Sequence, residues 1–306
     1  MSTEERPIWT EHDSGILVPF GRDGQVREGH TDSFAAIKQM AIRVRELYAE
    51  KGISLNPVSS LCELMNEVSR ISDSWLSNNT KSLPPDAIFK LCHGYRVCSA
   101  IDAISNEPAI SEHLSKLASG SLNLLARSQS GAKDFLWEVE LFGVFKGKNL
   151  FPKFEEPDIT ILADGRRVSV ACKKIYSEKR LQASLSTAVA QIQKSKRHGL
   201  VAINLDDLYP ENAILQGASS DAILDTLSSF NRDFIARHEG RFRKYMEASR
   251  IVACLVSSSI VSDSKNGSPR INNHRQDSLW VIPKNGSDRQ AIANSLYSKL
   301  IRDSSD

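Results

Sequence analysis

The stretch PDITILADGRRVSVACKK, residues 157–174, decides how the rest of the chain is read. Ile159-Thr160-Ile161-Leu162 and Val168-Ser169-Val170-Ala171-Cys172 mix β-branched residues with near alternation, the pattern of half-buried strands. Asp164-Gly165 between them is a two-residue hairpin signal, because a type I′ turn needs positive φ at both central positions. With that pair in the loop, Ala163 faces Arg166, Ile161 faces Val168 and Ile159 faces Val170, all on one side. The other side carries Thr160 opposite Ser169 and Asp158 opposite Ala171, with Lys173 two residues further on. Opposed Cβ atoms in such a ladder lie only about 4.5–5.5 Å apart. A carboxylate at position 171 would therefore share one divalent cation with Asp158. Lys173 would reach a phosphate or an attacking water from the same side.

This arrangement resembles the restriction-endonuclease-like phosphodiesterases, the PD-(D/E)xK superfamily. Pro157-Asp158 match "PD", and Ala171-Cys172-Lys173 stand where "(D/E)xK" is found. The context is similar as well. AKDFLWEVELFGVFKGKNLF (132–151) reads as an amphipathic helix, with Phe135, Val139 and Phe142 on one side, running past Gly147 into a short strand. LQASLSTAVAQIQKSKRHG (181–199) reads as a helix and LVAINL (200–205) as a buried strand. The order α-β-β-β-α-β is that of the superfamily core, and the resemblance covers residues 131 to about 207. Family members place a glutamate on the upstream helix, which Glu138 matches, and often a glutamine on the later helix, which Gln191 or Gln193 matches.

The resemblance implies a divalent-metal-dependent nuclease acting on DNA, with Asp158, Lys173 and Glu138 as catalytic residues. Mg²⁺ or Mn²⁺ would be held by Asp158, Glu138 and the Cys172 carbonyl, while Lys173 would orient the attacking water and stabilise developing charge. Ala171 departs from the pattern, since a methyl group binds no cation. Either another acid compensates, with Glu156 first by strand period and Glu140 or Glu178 next, or the chemistry has lapsed. In the second case the fold serves as a nucleic-acid-binding or protein-interaction module. The bland alternative is that Asp158 caps a strand and Lys173 is a surface lysine.

Charge is distributed unevenly. Residues 131–200 carry 13 basic and 8 acidic side chains, residues 1–130 carry 13 and 16, and residues 201–306 carry 13 of each. The basic excess falls in the nuclease-like segment, where Lys174, Lys179, Arg180, Lys194, Lys196 and Arg197 are the expected phosphate contacts. DNA is the expected partner and RNA the alternative polyanion.

The remaining chain predicts an α/β protein: an N-terminal helical bundle followed by a restriction-endonuclease-like domain with a mixed, helix-flanked sheet. Residues 1–32 read as irregular, with GILVPF (15–20) an isolated strand. Residues 33–127 read as about four helices, with Ser33 a cap and Pro57 and Pro84-Pro85 near helix starts. This bundle offers a surface for a second copy or a protein partner. RSQSGAK (127–133) marks the boundary with a domain over 131–306. DAILDTLSSFNRDFIARHEGRFRKYMEAS (221–249) predicts one or two helices, RIVACLVSSSIV and SLWVIP strands, and SDRQAIANSLYSKLIRD a closing helix. SDSKNGSPRINNHRQD (262–277) is too polar for core and predicts a loop.

Several classes are excluded by pattern. The seven histidines form no HxH or HExxH spacing, and GxxxxGK[ST], GxGxxG after a strand and GxSxG are all missing. Cys92, His93 and Cys98 on one predicted helix lack the spacing of a tetrahedral metal site. No apolar run approaches the ~20 residues that span a bilayer, and MSTEERPIW is not a signal peptide. Five scattered cysteines predict a reducing compartment, hence a cytoplasmic protein.

Overall fold

The computed structural model describes residues 9–11, 17–19, 33–77, 83, 86–248, 250–267, 270–281 and 287–301. The Asp164-Gly165 turn forms as its chemistry requires, with φ of 50° and 68°. It joins β3 (Ile159–Ala163) to β4 (Arg166–Lys174), and the antiparallel register is the predicted one: Ile159 with Val170, Thr160 with Ser169, Ile161 with Val168, Ala163 with Arg166. β4 then crosses through α6 (Leu181–Ser195) to β5 (His198–Asn204), which pairs with it in parallel. β5 is parallel in turn to β7 (Ile251–Ser264), reached through β6 (Leu215–Gly217) and the single long helix α7 (Ser220–Ala248). β6 pairs with the far end of β7, and β8 (Ile271–Trp280) closes the other edge antiparallel to it. The result is a mixed six-stranded sheet with helices around it.

Period two sorts the sheet residues into two layers. Ile159, Ile161, Val168, Val170 and Cys172 pack against α5 (Gly131–Gly147) and α8 (Asp288–Leu300). Ala171, Val201, Ile203, Cys254 and Val256 pack against α6 and α7. Upstream, α1 (Ser33–Glu50), α2 (Ser60–Leu76), α3 (Ala87–Ala103) and α4 (Ile110–Ala118) form the expected four helices. Their apolar cluster is continuous with the α5 side of the sheet, from Ile37 through Val68 and Phe142 to Leu279. Pro84 and Pro85 lie outside the described residues.

Three expectations are corrected. The segment 17–19 is not isolated, because β2 (Leu17–Pro19) pairs antiparallel with β1 (Trp9–Glu11); the rest of 1–32 lies outside the described residues. The strand expected after Gly147 shrinks to one bridge, Lys153 with Thr160, plus the Leu162 N–H donating to the Leu150 carbonyl. Positive φ at Asn149 and Phe151 breaks the extended run there. The expected loop over 262–277 is corrected: residues 262–264 end β7 and residues 271–277 build most of β8. The ladder and side chains satisfy many of their polar groups, as in Asp263 with Arg270 and Arg275 Nε with Ser257 and Asp277, while Ser264 Oγ and His274 Nε2 are buried without a partner among the described residues.

A Cβ at Gly165 would meet no atom within 4 Å, so Gly165→Ala tests backbone conformation alone. The left-handed φ should cost about 1–2 kcal/mol, read as a lower urea midpoint with an unchanged m-value. An unaffected midpoint would show that the turn does not hold the register.

Candidate functional site

Asp158 immediately precedes β3 and sits across from Ala171, as the register demands. Its Oδ2 accepts the Cys172 N–H at 2.7 Å and lies 3.6 Å from Lys173 Nζ. Lys173 Nζ also donates to the Cys172 carbonyl at 2.9 Å. Glu138 comes from α5, on the other side of the sheet, yet both Asp158 and Lys173 act on its carboxyl by charge. The three candidate side chains are therefore near enough to act on one another by charge. Burial first, and the Asp158 charge second, push Glu138 up to about 8. Burial also raises Asp158, against the lowering pull of Lys173 and the Cys172 N–H.

The donor set does not fit a divalent cation. Mg²⁺ and Mn²⁺ want several oxygen donors, carboxylates prominent among them. One Asp158 oxygen is committed to a backbone N–H, and the Cys172 carbonyl carries the lysine ammonium. Ala171 is 0% exposed, sealed with Leu185 and Val201 under α6. None of the substitute acids fills its place. Glu156 is exposed, Glu140 forms a two-point ion pair with Arg96, and Glu178 pairs with Arg237 and His238. No three His, Cys, Asp or Glu side chains assemble as ligands among the described residues. Gln191, on α6, buries its Oε1 without a hydrogen-bond partner; Gln193 is exposed.

The six predicted phosphate contacts separate. Lys174 is not one: its side chain is 4% exposed, 2.7 Å from Asp207 and from Asn204 Oδ1. The pleat explains this, since Lys174 leaves β4 on the side opposite Lys173. Lys179 and Arg180 are exposed at the start of α6, beside the site. Lys194, Lys196 and Arg197 are exposed at its other end, about 22 Å away at 1.5 Å per residue.

Sequence reading missed a buried ion network on the α3–α5 side. Arg96 of α3 joins Glu140 of α5 and Asp206 after β5, with Asp206 Oδ2 at 2.5 Å. Asp206 also accepts from the Ser259 N–H and hydroxyl of β7, and the Arg96 and Lys174 charges hold it well below the carboxylate range despite full burial. Lys133 of α5, itself buried, donates to the Ala126 carbonyl and to Asp207. A small cleft over this network, about 40 Å³, is lined by His93, Arg96, Lys174 and Asp207. Burial, then the Arg96 and Arg127 charges, push His93 down to about 3, so it is neutral. The one available signal was Asp206-Asp207 directly after a buried strand.

Comparisons with protein-family models, with curated proteins and with solved structures each return no match. No helix among the described residues is long and apolar enough to cross a membrane.

Glu138 makes the site pH-sensitive with a definite sign. Its folded value, about 8, lies above the ordinary 4.5, so the folded state holds the extra proton between those limits. Stability from this group is fully present at pH 4.5 and falls as pH rises to 8, by at most about 1.4 kcal/mol per pH unit. Glu138→Gln should flatten that fall: similar to wild type at pH 5, more stable at pH 8.5, by urea unfolding at both. Parallel pH profiles for the two proteins would refute the assignment.

Proposed function

We propose that the protein is a nucleic-acid-binding relative of the restriction-endonuclease-like fold whose hydrolytic site is incomplete. The observation that carries this reading is Ala171. It follows Val170 in a register matched residue for residue, which sets it across from Asp158, and it is fully buried in the core beneath α6. Support for the fold relationship comes from the order α5, hairpin, α6, β5 with a parallel β4–β5 pair, and from the charges of Asp158 and Lys173 acting on Glu138. Support for a polyanionic ligand comes from the basic excess of residues 131–200 and from the exposure of Lys179, Arg180, Lys194, Lys196 and Arg197. DNA is the ligand to try first and RNA the second.

The competing reading is an active Mg²⁺- or Mn²⁺-dependent nuclease, favoured by that same proximity of charges. The two are separated by incubating wild type with supercoiled plasmid and Mn²⁺. We expect salt-sensitive binding and no nicking; nicking that disappears in Asp158→Ala would establish the enzyme instead. Ala171→Asp probes the geometry further. Without metal it should cost about 2–4 kcal/mol, by overpacking and a buried charge. Mn²⁺ should restore part of that loss if position 171 and Asp158 converge, and the thermal midpoint reads the recovery. No Mn²⁺ effect in the folded variant would show that they do not.

A further inference from the structure

The end of the hairpin away from Asp158 presents an aromatic ring to solvent. Phe151 is 61% exposed. It and Asn149 both have positive φ, 46° and 53°, in a three-residue span. For a bulky residue that conformation costs about 1–2 kcal/mol and persists only when the surroundings impose it. Here they do. Leu150 between them is fully buried, and its carbonyl accepts the Leu162 N–H at 2.7 Å. The Asn149 carbonyl accepts from Lys299 Nζ at 2.9 Å, and the Phe151 carbonyl from Arg167 Nη1 at 3.2 Å. With Leu150 anchored inward and both flanking carbonyls tied, the Phe151 ring is held outward on a fixed loop.

The ring stands in a basic neighbourhood. Arg167 acts by charge on Glu155, which pairs with Arg197 at 3.2 Å. Arg250 Nη1 donates to the Lys196 carbonyl, joining a further pair of exposed cations. Lys153 bridges to Thr160 at the outer edge of β3, on the side where Thr160 meets Glu155. Lys153, Lys196 and Arg250 form no ion pair among the described residues, and the exposed Arg197–Glu155 pair is of the kind worth under about 1 kcal/mol, so a phosphate can replace it. Arg167 and Lys173 lie on the same side of β4, six residues or about 20 Å apart at 3.3 Å per residue. One strand of nucleic acid along the β3 edge could touch both ends.

We propose that Phe151, with Lys153, Arg167, Lys196, Arg197 and Arg250 around it, is a stacking platform for single-stranded nucleic acid. A lone ring among cations matches single-strand recognition, where unstacked bases lie on aromatic faces and the backbone follows positive charge. A duplex hides its base faces. An anionic membrane would call for an apolar cluster or amphipathic helix rather than one ring. The inference rests on the nucleic-acid reading above, and adds to it the place of contact and the form of the ligand.

The test uses the full chain and a fluorescein-labelled oligothymidylate of about 12 nucleotides, within the range single-strand sites occupy, beside a duplex of equal length and phosphatidylserine vesicles. Anisotropy should show tighter binding to the single strand than to the duplex. Phe151→Ala should weaken it about fivefold or more, the effect of losing one stacked base, while Phe151→Trp retains it. Lys196→Gln with Arg197→Gln should lower the salt slope by about 1.4, at 0.7 per single-strand phosphate. Circular dichroism checks that each variant folds. Equal affinity of wild type and Phe151→Ala overturns the platform, as does equal binding of duplex, or binding of vesicles alone. If Phe151→Ala is silent while wild type still binds the oligonucleotide, only the platform falls; if wild type binds no oligonucleotide, the nucleic-acid reading falls with it.

Discussion

Two consecutive left-handed residues, Asp164 and Gly165, set nearly everything that follows. A type I′ turn admits one register, and a one-residue slip would send every side chain of β3 and β4 to the opposite layer. In the register adopted, Ile159, Ile161, Val168 and Val170 enter the core shared with α5 and α8, while Ala171 enters the core under α6 and α7. The turn thus decides which residues can form a site as well as which form the core. It also decides that Lys173 and Lys174, neighbours in sequence, serve different layers: one touches Asp158, the other is sunk in the Asp206–Asp207 network.

That network is the second constraint. Arg96, Glu140, Asp206, Lys174, Asp207 and Lys133 draw on α3, α5, β4 and the turn after β5. Buried ion pairs contribute little net stability, because desolvation offsets their attraction, yet losing one partner leaves a buried charge and costs about 3–5 kcal/mol. The network ties α3 and α5 to β4 and to the turn after β5, so removing any one of the six would leave a partner charge buried and unpaired. The cations of the cleft above it are all engaged in this way, so the surface charge available to a polyanion lies elsewhere, on α6 and around the hairpin turn.

What was legible in the sequence follows from how local each signal is. The hairpin, its register, the four N-terminal helices and the run hairpin, α6, β5 rest on turn chemistry and short-period patterns, and the structure has them, without the strand expected after Gly147. β8 was not legible. His274, Gln276 and Asp277 look like loop residues until β7 supplies a ladder and Asn231, 45 residues before Gln276, donates to its carbonyl. The burial of Lys174 depends on acids more than 30 residues away, and the sealing of Ala171 on a helix and strand that follow it. Glu138 was assigned by resemblance. Its proximity to Asp158 is geometric, but its retained proton comes from burial that no spacing encodes.

On the nuclease-like reading proposed above, an alanine at position 171 in place of a carboxylate alters the electrostatics of the site as much as its chemistry. Two ionised carboxylates side by side repel a phosphate backbone and need a cation between them before a strand can approach. With a methyl at 171, a proton on Glu138 and Lys173 against Asp158, the local charge is close to zero near neutral pH. Such a site admits a phosphate without a metal. On that reading, an alanine at 171 takes away both a metal ligand and the negative charge that a metal would have to offset. A strand drawn by Lys179 and Arg180 at one end of α6 and by Arg197 at the other would then cross a neutral middle rather than an acidic barrier.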